Sequence, residues 1–314
     1  MRLRRPGRLR HEDDVSAAGL VYLDTNAASN LFRPGAADDV RVRAAELLLD
    51  DARGGRSPIV FSVAILDELA AVAKHDRGLF DRITGFLWLG ETHLLRSTYD
   101  LAHLEVAARR RLVDRERFES RDIRRDVRRW YGQSAFLAER AADVRRQTEE
   151  FKREEEARRA DVRRQVAASP QIRRSIAVES RDWWTTAEQR IDEWVRESWA
   201  ADAKDYGLPP DAESWPQPSS IPTVWGMFAF KMARMHLNIG ENRRVDGSDF
   251  HDAHHYVAAS YAEVLVTDDA RFRQTCELIP TTRFQVIGLE EFVRGVVSSP
   301  TSPTFMSRSP NRTP

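Results

Sequence analysis

"LVYLDTN" at 20–26 is an apolar run that ends in an acid, and "VLVTDD" at 264–269 repeats the device near the far end of the chain. Each reads as a short buried strand that delivers a carboxylate to a sheet edge. Open α/β sheets bind ligands beyond the carboxyl ends of their strands, so Asp24 and Asp269 are expected to face one crevice although the sequence holds them far apart. Glu68 and Asp252 lie on segments with helical patterning that bring them to the same place. Like charges gathered in one crevice raise one another's pKa and cost stability unless a divalent cation neutralises them. A hard-metal site is the leading expectation.

The 314 residues are enough for one large or two modest domains, and 41% hydrophobic with 31% charged residues is a globular balance. Mean hydropathy is negative, so much of the surface is solvated. Formal net charge is zero, and any nucleic-acid argument therefore rests on local distribution. Four of the 49 basic residues are Lys, which leaves 45 Arg, the better bidentate phosphate ligand, although codon bias produces the same skew. A single cysteine, Cys276, excludes an internal disulfide and a cysteine-based zinc cluster and suits the reducing cytoplasm. Residues 1–14 are basic without an apolar core, and no uninterrupted apolar stretch of about 18 residues occurs. Neither secretion nor a membrane span is expected.

Residues 1–18 read as a flexible basic arm and 298–314 as a disordered tail. After the first strand, a helical region from Ala27 to Arg53 is expected to break at Pro34 and Gly35. "SPIVFS" at 57–62 is the second strand, and Ser62 is placed to cap the helix "VAILDELAAVAKH". A short strand near "THLLRS" and a helix from Thr98 to Leu112 follow, so strand and helix alternate as in a parallel sheet. The C-terminal part restores that rhythm: helix "SDFHDAHHYVAASYA", strand "EVLVT", helix "DDARFRQTCELI", strand "FQVIG", helix "LEEFVRGV".

Between them, from 113 to 222, lies a helical insertion and linker, with dense Arg and Glu over 115–202 and no strand-like alternation. Glu149 with Arg153, Glu154 with Arg158 and Glu155 with Arg159 are i,i+4 pairs in the favourable order. Leu137, Val144, Phe151 and Val162 form a thin apolar seam that Glu155 and Arg158 interrupt, and the expectation is a projecting helical hairpin broken at 169–171. Trp183, Trp184, Trp194 and Trp199 read as the core of the insertion, and 206–222 as a Pro-rich loop before the apolar helix "TVWGMFAFKMARMHLNI".

The quoted motifs resemble the PIN-domain nucleases, which include many toxin ribonucleases of bacterial toxin–antitoxin pairs. "YLDTNAASNLF" looks like that family's first motif, "FSVAILDELA" its second, and "DAHHYVAASYAEVLVTDDARF" its third and fourth together. The resemblance covers 19–112 and 223–297 and implies a PIN-like α/β/α sandwich around a parallel sheet, interrupted by the all-α insertion. Carried over by position, it implies Asp24, Glu68, Asp252 and Asp269 as catalytic and metal-binding acids, with Asp249 a further candidate ligand and Asn26 and Thr267 shaping the site. It implies a cytoplasmic endoribonuclease that uses Mg²⁺ or Mn²⁺ and leaves a 5′-phosphate and a 3′-hydroxyl, with RNA as substrate and an antitoxin or other protein partner docking on the insertion. Oligomeric state stays open.

The residue types suit that chemistry on their own terms. Magnesium and manganese take oxygen ligands and keep several waters, whereas zinc wants His or Cys. A bound ion lowers the pKa of water for in-line attack on a phosphodiester, and no protein nucleophile is needed. Each acid also has an ordinary reading: Asp24 and Asp268 as helix caps, and Asp249 as a first-turn acid. Glu68 is preferred over Asp67 because Ile65 and Val72 are its helical neighbours. His251, His254 and His255 read as surface or packing residues rather than ligands, and the Arg runs at 109–111, 124–129 and 163–174 as solvated faces. Two other classes compete: a catalytically inactive PIN-like module that binds a partner through its insertion, and an aspartate-nucleophile phosphotransferase. The latter needs a second Asp two residues after the first, where this chain has Asn26.

Overall fold

Continuous apolar runs build the sheet. In the computed structural model, Val21–Leu23 (β1), Ile59–Val60 (β2), Val264–Val266 (β3) and Gln285–Ile287 (β4) pair in parallel in the order β2-β1-β3-β4. Tyr22 lies opposite both Val60 and Leu265, and Val266 opposite Ile287. The first three strands are buried along their whole length, which is why they read as unbroken apolar runs and not as alternation. Phe61 adds a parallel bridge to Leu94, the short strand expected at "THLLRS". The structure describes residues 19–33, 39–54, 57–89, 93–168, 183–209, 211–240, 248–280 and 283–298. The basic arm, the tail beyond 298, the break at Pro34 and Gly35 and the break at 169–171 fall outside the described residues, as does the side chain of Val162.

Helices occupy most of the rest: Thr25–Phe32 (α1), Asp39–Arg53 (α2), Val63–Ala73 (α3), Arg77–Leu89 (α4), Thr98–Ala108 (α5), Arg121–Tyr131 (α6) and Ser134–Ala168 (α7). Trp183–Ala201 (α8), Pro222–Gly240 (α9), Ser248–Ala259 (α10), Ala270–Glu277 (α11) and Leu289–Ser298 (α12) complete the described set. The protein is therefore mostly helical around a small parallel sheet. Helices α1, α2, α4 and α12 pack together, α8, α10 and α11 pack on α9, and α3 joins the two groups through α4 and α10. Among the described residues no helix is long and apolar enough to cross a membrane.

Three expectations about elements are corrected. Helix α4 was not anticipated, although Leu79, Phe80, Ile83, Phe86 and Leu87 are buried at helical spacing. Helix α5 stops at Ala108 rather than Leu112, because Arg109 takes a left-handed φ of 55° and its amide closes back on Glu105 and Val106 carbonyls. Ser62 stands at the N-terminal boundary of α3 but makes no side-chain cap; its hydroxyl bonds Tyr22 instead.

The insertion is helical as expected but does not stand off. Helix α7 packs along α3 and touches α9 and α10. Leu137, Ala141 and Val144 are buried on its inner face, and farther along Arg159 is buried too, its Nη2 donating to the Asn238 carbonyl at 2.8 Å. A polar contact thus continues the seam where apolar residues run out. The expected i,i+4 pairs are replaced: Arg153 reaches the Glu149 carbonyl, and Arg158 pairs with Glu155, three residues back. Asp67 fixes the near end, taking both Arg140 Nε and Nη2 at 2.6 Å and the Tyr131 hydroxyl. In the other half, Trp199 is fully buried and Trp183 stacks on His236 at 4.1 Å, the core role expected of these tryptophans.

Candidate active site

The chain leaves β1 toward β2 on one side and β3 toward β4 on the other, so the boundary between β1 and β3 is the switch point of the sheet. Ligand crevices in open α/β sheets form there. Asp24 follows β1, and its amide donates to the Val266 carbonyl at 3.1 Å, which ties the two strand ends together. Its Oδ1 accepts from Ala27 N at 2.6 Å as the N-cap of α1. Beyond β3, Asp269 caps α11 by accepting from Arg271 N at 2.8 Å and Phe272 N at 2.9 Å. Thr267 joins them: it hydrogen-bonds Asp24, and its Oγ1 accepts from Asp269 N at 3.0 Å. Both acids thus serve as helix caps at neighbouring strand ends. Asp268 is exposed and accepts from Leu289 N at 2.9 Å, so it serves the start of α12 and not α11.

Helix α3 presents Glu68 to the same place, with its side chain 22% exposed. Its Oε2 accepts from the Thr25 hydroxyl and lies 2.7 Å from His255 Nε2. The other imidazole nitrogen is 2.7 Å from the Tyr22 hydroxyl, which is 2.9 Å from Ser62 Oγ. Burial would lift Glu68, but the His255 charge and hydrogen bond overcome it and hold the carboxyl at about 2. Burial would lower His255, and Glu68 reverses this and holds the imidazole above its usual range. Each thus favours the charged form of the other, and Tyr22 and Ser62 extend the hydrogen-bonded chain into the core. Asn26, expected to shape the site, is exposed in the first turn of α1; Thr25 makes the contact to Glu68.

Helix α10 places Asp249 and Asp252 on one face of its first turn, as the spacing predicts, and both are buried. They meet Arg234 of α9: Nη2 is 2.5 Å from Asp252 Oδ2 and Nε is 3.2 Å from Asp249 Oδ1. Arg271 Nη2 lies 3.4 Å from the other Asp249 oxygen. Among the described residues no three His, Cys, Asp or Glu side chains are drawn together closely enough to hold an ion as they stand. The expected cluster of Asp24, Glu68, Asp252 and Asp269 is therefore corrected to two sets, Asp24 with Glu68 and Asp249 with Asp252, with Asp269 serving as the α11 cap near enough for Asp252 to feel its charge. Each set is drawn toward a protein cation, and His255 feels Asp24, Glu68 and Asp252 alike.

Five acids (Asp24, Glu68, Asp249, Asp252, Asp269) stand with Arg159, Arg234, Arg271 and His255 around them. Burial pushes Asp24 up to about 6 despite bonds from Thr267 and Ala27. Burial also pushes Asp252 up to about 8 despite Arg234 beside it, with Asp269 and Asp249 adding to the rise. In both, burial outweighs a cation that is present, His255 for Asp24 and Arg234 for Asp252. Carboxylate oxygens are the donor type that Mg²⁺ or Mn²⁺ takes, and Asp24, Asp252 and Asp269 would have to draw closer to hold one.

His255 and Arg234 were missed as site residues. His255 is buried and hydrogen-bonded, not a surface residue, and its signal was the i, i+3 spacing from Asp252 that sets both on the inner side of α10. Arg234 was legible as a lone Arg deep in the apolar "MFAFKMARMHL", where a charge needs a buried partner. Compared with protein-family models, with characterised proteins and with solved structures, the chain matches none.

Proposed function

We propose that the chain is a metal-dependent ribonuclease with a PIN-like α/β/α sandwich, cutting phosphodiester bonds of RNA at the β1/β3 switch point. The observation that supports it best is the pair of acids on either side of that point, Asp24 and Asp269, joined through Thr267, with the Asp252 carboxyl, raised to about 8 by burial, near enough to feel Asp269. A bound Mg²⁺ or Mn²⁺ would supply a low-pKa water and charge stabilisation of the leaving oxygen. The chain's own groups do the rest. Asp24 and Asp269 are oriented by the helix amides they cap, so neither needs to reorganise to present its second oxygen. Glu68, ionised and fixed by Thr25 and His255, keeps a negative charge at the crevice, and His255 and Tyr22 hold its orientation from the buried side. Purified full-length protein should cleave single-stranded RNA with Mg²⁺ or Mn²⁺, and Asp24→Asn should reduce the rate by about 10²-fold or more without unfolding the protein. Cleavage that resists chelator, or an unimpaired Asp24→Asn protein, would sink the reading.

A second reading has its own observation. Arg234 already neutralises Asp249 and Asp252, as in a site retained for binding and not for hydrolysis. On that reading the fold is a non-enzymatic module that uses its helical insertion to bind a partner such as an antitoxin. A protein that takes up no metal and cuts no RNA at any pH from 6 to 9 would favour it, since deprotonating Asp252 is the step that should admit an ion.

A further inference from the structure

Ser62, at the end of the hydrogen-bonded chain from Glu68, also lines a separate cavity of about 250 Å³ between α3, α5, α7 and α10. That volume is near the lower end of small-ligand sites, which start at roughly 300 Å³. Three observations on its walls point the same way. Tyr99, in the first turn of α5, is 65% exposed although it is a large aromatic residue, and its ring centroid lies 4.1 Å from His103. His103 in turn stacks on Tyr206 at 4.5 Å with an interplanar angle of 13°. Tyr99, tilted at 46° against the stacked His103–Tyr206 pair, thus forms part of the cavity wall. The lining carries Arg96 and Arg140 against one acid, Asp67, which Arg140 and Tyr131 already engage. Arg96 is held in place by its Nε bond to the Glu116 carbonyl at 2.7 Å and by the buried Glu119, 3.8 Å from its Nη1, and it keeps a further nitrogen for a phosphate. Polar side chains complete the wall: Gln147, and His254, whose Nδ1 is 3.0 Å from Thr98 Oγ1.

An exposed ring backed by a stacked aromatic pair, an anchored guanidinium and polar edges are the three things a nucleotide needs: a stacking face, a phosphate contact and partners for a base edge. We propose that this cavity is a nucleotide subsite in which Tyr99 stacks on one base and Arg96 meets its phosphate, placing one unit of a single-stranded RNA across the Ser62–Tyr22–His255 wall from Glu68. The choice of RNA rests on the ribonuclease reading; the nucleotide chemistry of the cavity does not.

The test is fluorescence anisotropy of a short labelled oligouridylate with the full chain in chelator, so that no cleavage occurs, with competition by uridine monophosphate and by duplex RNA. Tyr99→Ala should weaken binding by about 5- to 100-fold, the range for loss of one base–aromatic stack, while Tyr99→Phe, which keeps the ring, stays near the parent. Arg96→Ala should weaken binding and reduce the slope of log affinity against log salt by about 0.7, one phosphate on a single strand. Monophosphate competing as well as the strand would identify a free nucleotide as the occupant; competition by the strand alone would identify RNA. Duplex RNA, whose bases are stacked already, should compete poorly. Unchanged affinity in Tyr99→Ala, or no binding of either probe by the parent, overturns the subsite. Asp24→Asn separates the two ideas: binding kept with cleavage lost supports both, whereas cleavage kept overturns the acidic site and leaves the Tyr99 comparison standing.

Discussion

Arg234 Nη2 lies 2.5 Å from Asp252 Oδ2, and both side chains are buried, at 5% and 10% exposure. The guanidinium supplies positive charge to both acids of α10. Removing one partner of a buried pair leaves the other uncompensated, at a cost of about 3 kcal/mol or more. Arg234→Met should therefore lower the thermal midpoint in chelator, and added Mn²⁺ should restore more stability to the variant than to the parent. Equal Mn²⁺ increments would show that arginine and ion do not compete for the same acids.

Stability should depend on pH in a direction set by the raised acids. Asp24 is held at about 6 and Asp252 at about 8, against an ordinary 3.8, so the folded protein keeps protons that the unfolded chain releases. Their contribution is complete below about pH 4 and is lost as pH rises, through about 6 for Asp24 and about 8 for Asp252. Glu68 runs the other way: held at about 2 against 4.5, its contribution is present above pH 4.5 and disappears as pH falls through about 2. Above about pH 6.5, where the buried His93 and His254 imidazoles, both held at about 4, no longer add stability as pH rises, Asp252 dominates, so the midpoint in chelator should fall as pH climbs toward 8. Asp252→Asn should remove the alkaline part of that fall, leaving the variant the more stable protein at pH 9. Melting curves across the range, at one ionic strength, check this, and an unchanged slope in the variant contradicts it.

Much of this site was legible because it is local. An apolar run ending in Asp locates a strand end in a parallel sheet, and both strands and both acids lie where "LVYLDTN" and "VLVTDD" put them. The spacing of Asp249 and Asp252 fixed their shared face. Partners were not legible, since Arg234 with Asp252 and His255 with Glu68 depend on how helices cross, which no periodicity encodes. Asp67 shows the same limit from the other side. Its alanine neighbours suggested a less constrained acid, yet Arg140 and Tyr131 from the insertion bury it.

Glu105 should prove the strongest structural acid outside the site. It is fully buried, accepts from Thr223 N at 3.0 Å and Leu112 N at 3.3 Å, and takes the Tyr261 hydroxyl at 2.5 Å. One side chain thereby joins α5, its following loop, the start of α9 and the loop before β3. Glu105→Ala strands several buried donors at about 1–3 kcal/mol each, so a loss of roughly 3 kcal/mol or more is expected. Glu105→Gln, which can still accept, should lose less. Denaturant midpoints decide it, and an Ala variant as stable as the Gln variant would contradict the bonding described.

The insertion should be an integral part of the folded unit. Asp67 bound to Arg140 and Tyr131, and Arg159 bound to the Asn238 carbonyl, clamp α7 at two points. Arg140→Ala should lower stability by about 1–3 kcal/mol, since it leaves Asp67 buried with one partner fewer, and should raise amide exchange in α6 and the first turns of α7 while sparing β1 and β3. Uniform exchange changes across the sheet would argue against a local clamp.

The most direct measurement is a Mn²⁺ titration of the full chain at pH 8.5, read by the loss of the free-ion EPR signal, on the parent, Asp24→Asn and Asp269→Asn. At that pH the Asp252 carboxyl, held at about 8, is mostly ionised and available. The account expects saturable binding by the parent, weakened about tenfold or more in each variant, and loss of that binding as pH falls below about 6, where Asp24 takes up a proton. No saturable site, or one that neither substitution weakens, would contradict the metal-dependent site at the β1/β3 switch point.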